Sequence, residues 1–289
     1  MISVFTATYN RAHTLTRLYQ SLCSQSYLDF EWIIVDDGSS DTTEELVKQW
    51  QNENKIKIAF LKQKNGGKHS AFNKGVQLAK GNLFFNVDSD DYLLSTSLEV
   101  IKGTYENASK KYNIAGIAGR RMYENGTIVG NQNFDELLSN SIDIRYQYGV
   151  IGDLVEVFEL EKLREFSFPE IENEKFCPEA LVWNRLATKY NLFFFNKGIY
   201  VTQYLPDGLT AKITKIRMES PIASINYYGE LEKYDIPWLQ KIKANINFWR
   251  FSFNCQSTLF NHFKKVKIIY TIIGLPIGFM MYVKDKLSI

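Results

Sequence analysis

The first 120 residues alternate short apolar runs with amphipathic stretches. The apolar runs are rich in β-branched and aromatic residues and read ISVFTA, EWIIVD, IKIAFL, NLFFNVD and NIAGIAG. Between them, apolar side chains recur every three or four residues, as in Leu15, Leu18 and Leu22, which is the period of a helix with one buried face. Strands that alternate with such helices predict βαβ units. We therefore expect an α/β protein with a mostly parallel central sheet flanked by helices.

The pattern is less regular from about residue 120 to residue 210. This part contains RRMYENGTIVG, with a turn signal at Asn125-Gly126, a helical pattern in ALVWNRLATKY and the apolar run FFFNKGIYVTQYL. Such a mixture is typical of a hairpin followed by further strands and helices. We expect this part to complete the sheet and to shape a cleft.

The last part of the chain has a long apolar run. Residues 268–283 form an uncharged run of 16 residues between lysine clusters, interrupted by Gly274 and Pro276. A helix that spans a bilayer needs about 20 apolar residues. The run therefore favours an interfacial or re-entrant segment over a spanning helix.

Net charge separates this C-terminal segment from the rest of the chain. The whole chain carries +2, but residues 238–289 have eight basic residues against one acid, Asp285, a net charge of +7. Residues 1–237 have 26 basic and 31 acidic residues, a net charge of −5. A basic, aromatic tail suits anionic lipid headgroups. Nucleic acid is the alternative partner, and the uncharged run at 268–283 argues against it.

Cysteines and the N-terminal sequence indicate the compartment. Cys23, Cys177 and Cys255 are widely spaced and form no C-x-x-C pair, which disfavours a zinc or redox centre and fits a reducing compartment. The opening sequence MISVFTATYN has no basic region followed by a long apolar region and a cleavage site. We expect no cleaved secretion signal.

The acidic sequence VDSDD, at residues 87–91, is the main candidate for chemistry. Asp88, Asp90 and Asp91 follow an apolar strand, and ligands of open α/β sheets bind at the carboxyl ends of strands. Carboxylates this close repel one another unless a cation or donors neutralise them, and Mg²⁺ or Mn²⁺ on a diphosphate would do so. A solvated acidic turn is the alternative. A second acidic pair, Asp36-Asp37, ends another predicted strand, so both clusters are expected at one edge.

Two common nucleotide-binding motifs are missing. The first turn, TYNRAHT, lacks the G-x-G-x-x-G of dinucleotide folds, and NGGKHS has the wrong spacing for a P-loop. These sequences disfavour a Rossmann oxidoreductase and an ATPase. Lys68 in NGGKHS begins a predicted helix, where it could bring positive charge and helix amides to an anion. In the other interpretation, the glycines only give the backbone the conformational freedom that it needs where the helix begins.

Four motifs together resemble a known family. TATYNR, VDDGSSDTT, NGGKHSAFNKG and VDSDD occur in the order and spacing of family 2 inverting glycosyltransferases of the GT-A fold, over residues 1–120. Residues 150–210 are similar to the acceptor half of bacterial members through GDLVEVF, FPE, EKFCPEALVWNR and YLPDGL. The resemblance implies a nucleotide-sugar donor and Mn²⁺ or Mg²⁺ as cofactor.

The same resemblance implies roles for individual residues. It assigns the metal to Asp90, the ribose or the sugar to Asp88, and a supporting role to Asp91. The remaining donor-binding residues that we expect are Thr8, Asn10, Arg11, Asp37 and Lys68.

An inverting transfer also needs a carboxylate that takes the proton from the acceptor hydroxyl. Family members place this base before a helix, often in a Glu-Asp pair, and the matching position here is Glu179 in Pro178-Glu179. The changed neighbour leaves Glu172 and Glu174 as competitors, and an acid that merely stabilises the helix N-terminus is another interpretation of Glu179. Arg185 follows on the same predicted helix and is a candidate for the acceptor or phosphate pocket.

These expectations combine into one hypothesis. Residues 1–120 form the donor-binding half and 121–215 the acceptor-binding half of one GT-A domain, and 216–289 form a helical extension that docks to a membrane. The protein would transfer a sugar to a lipid-linked saccharide at the cytoplasmic face of the plasma membrane, in the synthesis of a bacterial polysaccharide such as O-antigen or capsule. A non-catalytic membrane scaffold and a sugar nucleotidyltransferase are the alternatives, although the latter needs a glycine-rich, arginine-containing loop that TYNRAHT does not provide.

Overall fold

A computed structural model of the protein describes residues 1–131, 134–202, 212–256 and 259–288. The chain divides into two compact units. The first comprises Met1–Ser167 and Leu186–Gln203, and the second comprises Phe168–Arg185 and Tyr204–Ile289.

The first unit is built on one sheet of eight strands in the order β3-β2-β1-β4-β7-β5-β8-β6. The strands are β1 Ile2–Thr8, β2 Phe30–Asp36, β3 Ile58–Lys62, β4 Leu83–Asn86, β5 Ile114–Met122, β6 Glu136–Ser139, β7 Leu154–Glu159 and β8 Asn191–Val201. Its helices are α1 Ala12–Cys23, α2 Thr43–Glu53, α3 Lys68–Leu78, α4 Ser97–Ser109, α5 Asp143–Tyr146 and α6 Leu160–Leu163, and α7 Glu179–Ala187 crosses the boundary between the units.

Parallel pairs predominate in this sheet. β1 pairs in parallel with β2 and β4, β2 with β3, and β5 with β8, whereas β7 lies antiparallel between β4 and β5, and β6 is antiparallel to β8. The predicted α/β fold is therefore confirmed. The antiparallel β7, formed by LVEVFE, was not recognised as a strand from the sequence.

Helices cover both faces of β1, so nearly all its residues are buried. Side chains alternate between the two faces of a strand: Val4 joins the cluster that contains Trp32 and Trp50, whose rings stack 5.8 Å apart. On the other face, the ring of Phe5 lies 5.5 Å from that of Phe72 in α3. This packing fixes α3, and with it Lys68, the first residue of α3, against the central strand.

The second unit is helical. Its further helices are α8 Ile213–Glu219, α9 Pro221–Leu231, α10 Trp238–Ser252, α11 Leu259–Phe263 and α12 Ile268–Ser288. Its core comes from α8, α9 and α10 and includes Phe248, Trp249 and Phe251, with Leu275 and Tyr282 of α12 packed against it. The predicted helical character of the C-terminal segment is confirmed. Within the described residues, one helix, Ile268–Leu287, is long and apolar enough to cross a membrane by length and composition.

Gly75 should be essential for the contact between α3 and β1. A Cβ at this position would lie 2.2 Å from the ring of Phe5, so Gly75→Val should destabilise the protein by roughly 1–3 kcal/mol through overpacking. The matched control is Gly103→Ala in α4, where no described residue outside the helix's own backbone lies within 4 Å of an added Cβ and alanine should stabilise the helix by about 0.5–1 kcal/mol. Urea unfolding measures both, and a Gly75→Val protein as stable as wild type would contradict this account.

Candidate active site

The two acidic clusters lie at the same edge of the sheet. Thr8 and Asp36 are partners in the parallel β1-β2 register, and the N–H of Val87 donates to the carbonyl of Phe5 at 2.8 Å. The loop that follows β4 is therefore held beside the end of β1. Because β1, β2 and β4 are parallel, Asp37 and Asp88 both emerge at their carboxyl edge, where ligands of such sheets bind.

The turn after β1 is tied to the turn after β2. Asn10 adopts a left-handed backbone with φ of 52°; its N–H donates to Ser39 Oγ at 2.8 Å, and its side-chain oxygen accepts the N–H of Ser40 at 2.8 Å. Arg11 directly precedes α1, and its carbonyl accepts the N–H of Leu15. Thr8 ends β1 with a buried hydroxyl that has no hydrogen-bond partner among the residues that the structure describes. Thr8, Asn10 and Arg11 thus share one edge, and their donor-binding roles stay predictions.

Asp37 organises the glycine loop. One carboxylate oxygen accepts Gln63 Nε2 at 2.7 Å and the N–H of Gly66 at 2.8 Å, and the other accepts the N–H of Gly67 at 2.8 Å. Gly67 has φ of 91°, a conformation that favours glycine. The two glycines of NGGKHS are therefore explained by this loop, which delivers Lys68 to the start of α3.

Asp88 lies between two cations. Lys68 Nζ is 2.5 Å from one of its oxygens, and Arg121 Nη2 is 3.3 Å from the other. Burial raises the pKa of Asp88, but the charges of Lys68 and Arg121 outweigh that effect and hold the pKa well below its usual range. Arg121 Nη1 also lies 3.1 Å from Asp91. Burial, followed by the charge of Asp88, raises the pKa of Asp91 to about 6.

The end of β8 supports the acidic loop. The Tyr200 hydroxyl accepts the N–H of Asp88 at 2.8 Å, and Thr202 Oγ1 donates to Asp91 at 3.0 Å. The guanidinium carbon of Arg121 lies 4.4 Å from the centre of the Tyr200 ring. Sequence reasoning missed Arg121, Tyr200 and Thr202. The one available signal was the arginine pair in RRM, which follows a run of apolar and glycine residues.

The carboxylate of Asp90 differs in its surroundings from those of Asp88 and Asp91. Its backbone carbonyl accepts Arg17 Nη2 at 2.6 Å, and no hydrogen bond or ion pair from the described residues engages its partly exposed carboxylate. Within the same residues, no group of three or more His, Cys, Asp or Glu side chains forms a ready metal site. A Mg²⁺ or Mn²⁺ ion bound through one or two carboxylates takes its other ligands from phosphate and water. The residues present therefore fit a metal that binds together with a diphosphate.

In the second unit, Glu174 and Glu179 have different surroundings. Glu174 is buried, and its two oxygens accept the N–H groups of Ile222 at 2.6 Å and Ala223 at 2.8 Å, at the start of α9. Burial raises its pKa. Glu179 is the first residue of α7 and is partly exposed. Glu174 therefore has a structural task at the start of α9.

Arg185 also has a structural partner. Its Nε and Nη2 atoms lie 2.9 and 2.6 Å from the two carboxylate oxygens of Glu230 in α9. This two-point ion pair joins α7 to α9 within the second unit. A role of Arg185 in an acceptor pocket stays a prediction. The YLPDGL motif lies outside the described residues.

Comparison with protein families gives a match to the first half of the chain. The family model described as Glycosyl transferase family 2 matches residues 3–160. The chain is 34% identical over 99 residues to the poly(ribitol-phosphate) β-N-acetylglucosaminyltransferase TarS of Staphylococcus aureus, a match that covers 34% of the chain and 17% of TarS. It is 25% identical over 246 residues to the UDP-Glc:α-D-GlcNAc-diphosphoundecaprenol β-1,3-glucosyltransferase WfgD of Escherichia coli, covering 78% of the chain and 90% of WfgD.

Solved structures share the fold. A crystal structure of S. aureus TarS with UDP-GlcNAc superimposes with a TM-score of 0.64 at 17% identity, covering 98% of the chain and 88% of that structure. A mannosyltransferase from Pyrobaculum calidifontis in complex with GDP-Man and Mn²⁺ gives a TM-score of 0.58 at 14% identity, covering 99% of the chain and 86% of that structure. Both are similar in architecture, which confirms the GT-A-type fold expected from the sequence.

Arg121 should be the residue on which the acidic loop depends. Arg121→Met leaves Asp88 and Asp91 without their shared cation, and breaking such a buried ion pair costs roughly 3–5 kcal/mol. Arg121→Lys should lose less, because one positive charge remains. The control is Arg164→Met, which removes an exposed arginine that donates to the Ala79 carbonyl and should change stability by less than about 1 kcal/mol. Chemical denaturation ranks the three variants; equal losses for Arg121→Met and Arg164→Met would refute the assignment.

Proposed function

The chain belongs to glycosyl transferase family 2, and we propose that it is a metal-dependent inverting enzyme that transfers a hexosyl or N-acetylhexosaminyl group from a nucleotide-diphosphate sugar. The observation that carries this proposal is the arrangement at the carboxyl edge. There, Lys68 and Arg121 flank Asp88, while Asp90 remains available beside them. The family match over residues 3–160 includes all four residues.

The donor is proposed to bind across the ends of β1, β2 and β4. Thr8, Asn10 and Arg11 lie on the turn that would face the base and ribose, and Asp37 orders the loop before α3. The N-terminus of α3 offers backbone N–H groups and the positive end of the helix dipole to the diphosphate. Lys68 adds a full positive charge at the same place. The names of WfgD and of the TarS complex specify UDP-Glc and UDP-GlcNAc, so a UDP-sugar is the first donor to test.

Asp90 is proposed to hold Mn²⁺ or Mg²⁺. When bound, this metal would stabilise negative charge on the departing nucleoside diphosphate. Asp88 stays ionised because Lys68 and Arg121 flank it, so it can accept hydrogen bonds from hydroxyl groups of the ribose or the sugar. Asp91 keeps the loop in place through Arg121 and Thr202.

Glu179 is proposed as the base. It would take the proton from an acceptor hydroxyl as that oxygen bonds to the anomeric carbon and the bond from this carbon to the diphosphate oxygen breaks. Attack opposite the leaving group inverts the anomeric centre. The engagement of both Glu174 oxygens with α9 supports Glu179 over Glu174. The acceptor half is proposed to lie within residues 121–215, as a complement to the donor half at 1–120.

The acceptor is proposed to be a lipid-linked saccharide used in the synthesis of a bacterial polysaccharide. WfgD is named for transfer to a diphosphoundecaprenol-linked sugar and matches 78% of the chain. A lipid-linked acceptor requires the enzyme to work at a membrane, and the basic segment at 238–289 supports docking to the cytoplasmic face through anionic lipids. A non-catalytic scaffold of the same fold would share that docking but would have no use for the donor site.

Nucleotide binding tests the donor site. UDP, GDP, TDP and CMP, with their sugars, are compared by thermal shift with and without Mn²⁺. One nucleotide class should stabilise the wild type in a metal-dependent manner, by about 2.7 kcal/mol at a ligand concentration 100 times Kd, and Asp90→Asn should lose the metal-dependent part. If none of these ligands shifts the wild type, the scaffold alternative replaces the proposed function.

Substitution of the base should separate catalysis from binding. Glu179→Gln should lower kcat roughly 10²–10⁴-fold, the contribution typical of a general base, while the thermal shift with donor is unchanged. Glu172→Gln, seven residues earlier and exposed, is the control and should retain activity. Transfer is followed by release of nucleoside diphosphate in the presence of an acceptor. A fully active Glu179→Gln enzyme would return the choice to Glu172 and Glu174.

A further inference from the structure

The outward surface of α12 is continuously apolar. Six of its exposed side chains fall within roughly 100° of arc when placed at 3.6 residues per turn: Ile269, Ile272, Ile273, Met280, Val283 and Leu287. Ile272 is 73% exposed. Contiguous exposed apolar patches commonly mark interaction sites.

The opposite surface of α12 is fixed to α10. A Cβ at Gly274 would lie 1.9 Å from Asn245 Oδ1, and a Cβ at Gly278 would lie 2.6 Å from the carbonyl oxygen of Ile246. The two glycines therefore allow the helices to approach at backbone distance. At Gly278 a side chain would have to displace the backbone of α10, and at Gly274 it would have to displace the buried side chain of Asn245.

Both ends of α12 are held as well. The buried carboxylate of Glu232 accepts the N–H of Lys267 at 2.7 Å, just before the helix begins, and accepts Asn245 Nδ2 at 2.6 Å. Near the other end, Arg250 of α10 makes a two-point ion pair with Asp285 at 2.6 and 2.8 Å. A helix held at its start, middle and end stays with α10 instead of separating from it.

The length of the uncharged run and the lysines at its ends favour one orientation of α12 relative to a membrane. The uncharged run 268–283 would be about 24 Å long at 1.5 Å per residue, against a hydrocarbon core of about 30 Å. Lys264, Lys265 and Lys267 precede the helix, and Lys284 and Lys286 lie in its last turns. A spanning helix would place lysines on both sides of the bilayer, and the Arg250–Asp285 pair would have to break or enter the bilayer. A helix in the plane of one leaflet keeps all five lysines at the same headgroup layer.

We propose that α12 is an in-plane anchor, which buries its outward apolar surface in one leaflet of an anionic membrane while Gly274 and Gly278 keep it against α10. The lysines at both ends favour a lipid surface over a second copy of the chain. In a symmetric dimer this surface would face its own copy, and its exposed residues named above include no acid that could pair with those lysines, whereas anionic headgroups would pair with them. The proposal deepens the membrane-docking part of the proposed function and does not depend on the transferase reaction.

Vesicle binding by the full-length protein tests the surface. Wild type should co-sediment with vesicles of phosphatidylglycerol and phosphatidylcholine, and less with phosphatidylcholine alone or at high salt. The double variant Ile272→Glu/Met280→Glu should bind at least about tenfold more weakly. Leu28→Glu is the control, since Leu28 is 76% exposed in the first unit, and it should bind like wild type. Urea unfolding of the same samples shows whether the variants are folded, and UDP-sugar binding measured in parallel tests the donor site separately.

The depth of the helix tests its orientation. Single cysteines replace Ile269, Ile273, Met280 and Leu287 in a Cys23→Ser/Cys255→Ser background, which retains the buried Cys177, and carry spin labels. An in-plane helix predicts the same shallow depth at all four positions. A depth maximum at 273 and 280 with shallow ends would show a spanning helix and overturn the proposal. The proposal would also be overturned if the protein did not bind vesicles and instead formed a dimer in solution that the glutamate double variant dissociates.

Discussion

The buried charge balance around Asp88 and Asp91 is the constraint on which the first unit depends. Two carboxylates close to each other in a folded protein need compensation, since each buried ion loses several kcal/mol of hydration. Arg121 bridges both acids, Lys68 neutralises one of them, and Thr202 and Tyr200 supply hydrogen bonds. These partners come from α3, β5 and the end of β8, so the sheet order is needed to assemble the acidic loop. In particular, the parallel β5–β8 pair places Arg121 and Tyr200 as register partners.

This dependence explains which parts of the site could be predicted from the sequence. Strands β1, β2 and β4 have strong local patterns, and the rule that ligands lie at carboxyl ends was enough to bring Asp37 and Asp88 to one edge. Arg121 and Tyr200 act at positions 33 and 112 residues away from Asp88 along the chain. The periodicity of apolar residues within one strand or helix cannot predict a contact between residues so far apart in the sequence. Strand β7 was missed for a related reason, because its antiparallel insertion between β4 and β5 is a property of the whole sheet.

The net charge and aromatic content of the C-terminal segment do not show how its side chains are arranged. The sequence predicted a basic, aromatic tail, but Phe248 and Trp249 of α10 are fully buried in the core of the second unit. Deleting residues 238–289 would therefore remove part of that core along with any membrane contact. On α12 the apolar outward surface is hard to see in the sequence because the inward surface is also poor in charge and uses glycines. Only the packing against α10 distinguishes the two surfaces.

Glu174 is disfavoured as the base because both oxygens of its carboxylate are already engaged. Both acids lie in the segment that resembles the family's acceptor half, so the sequence left them as competitors. Protonating Glu174 during catalysis would weaken its two hydrogen bonds to the start of α9, and bonds to a charged group are each worth about 1.5–3 kcal/mol. A base used in every turnover would then loosen α9 each time. Glu179, the first residue of α7, therefore remains the proposed base.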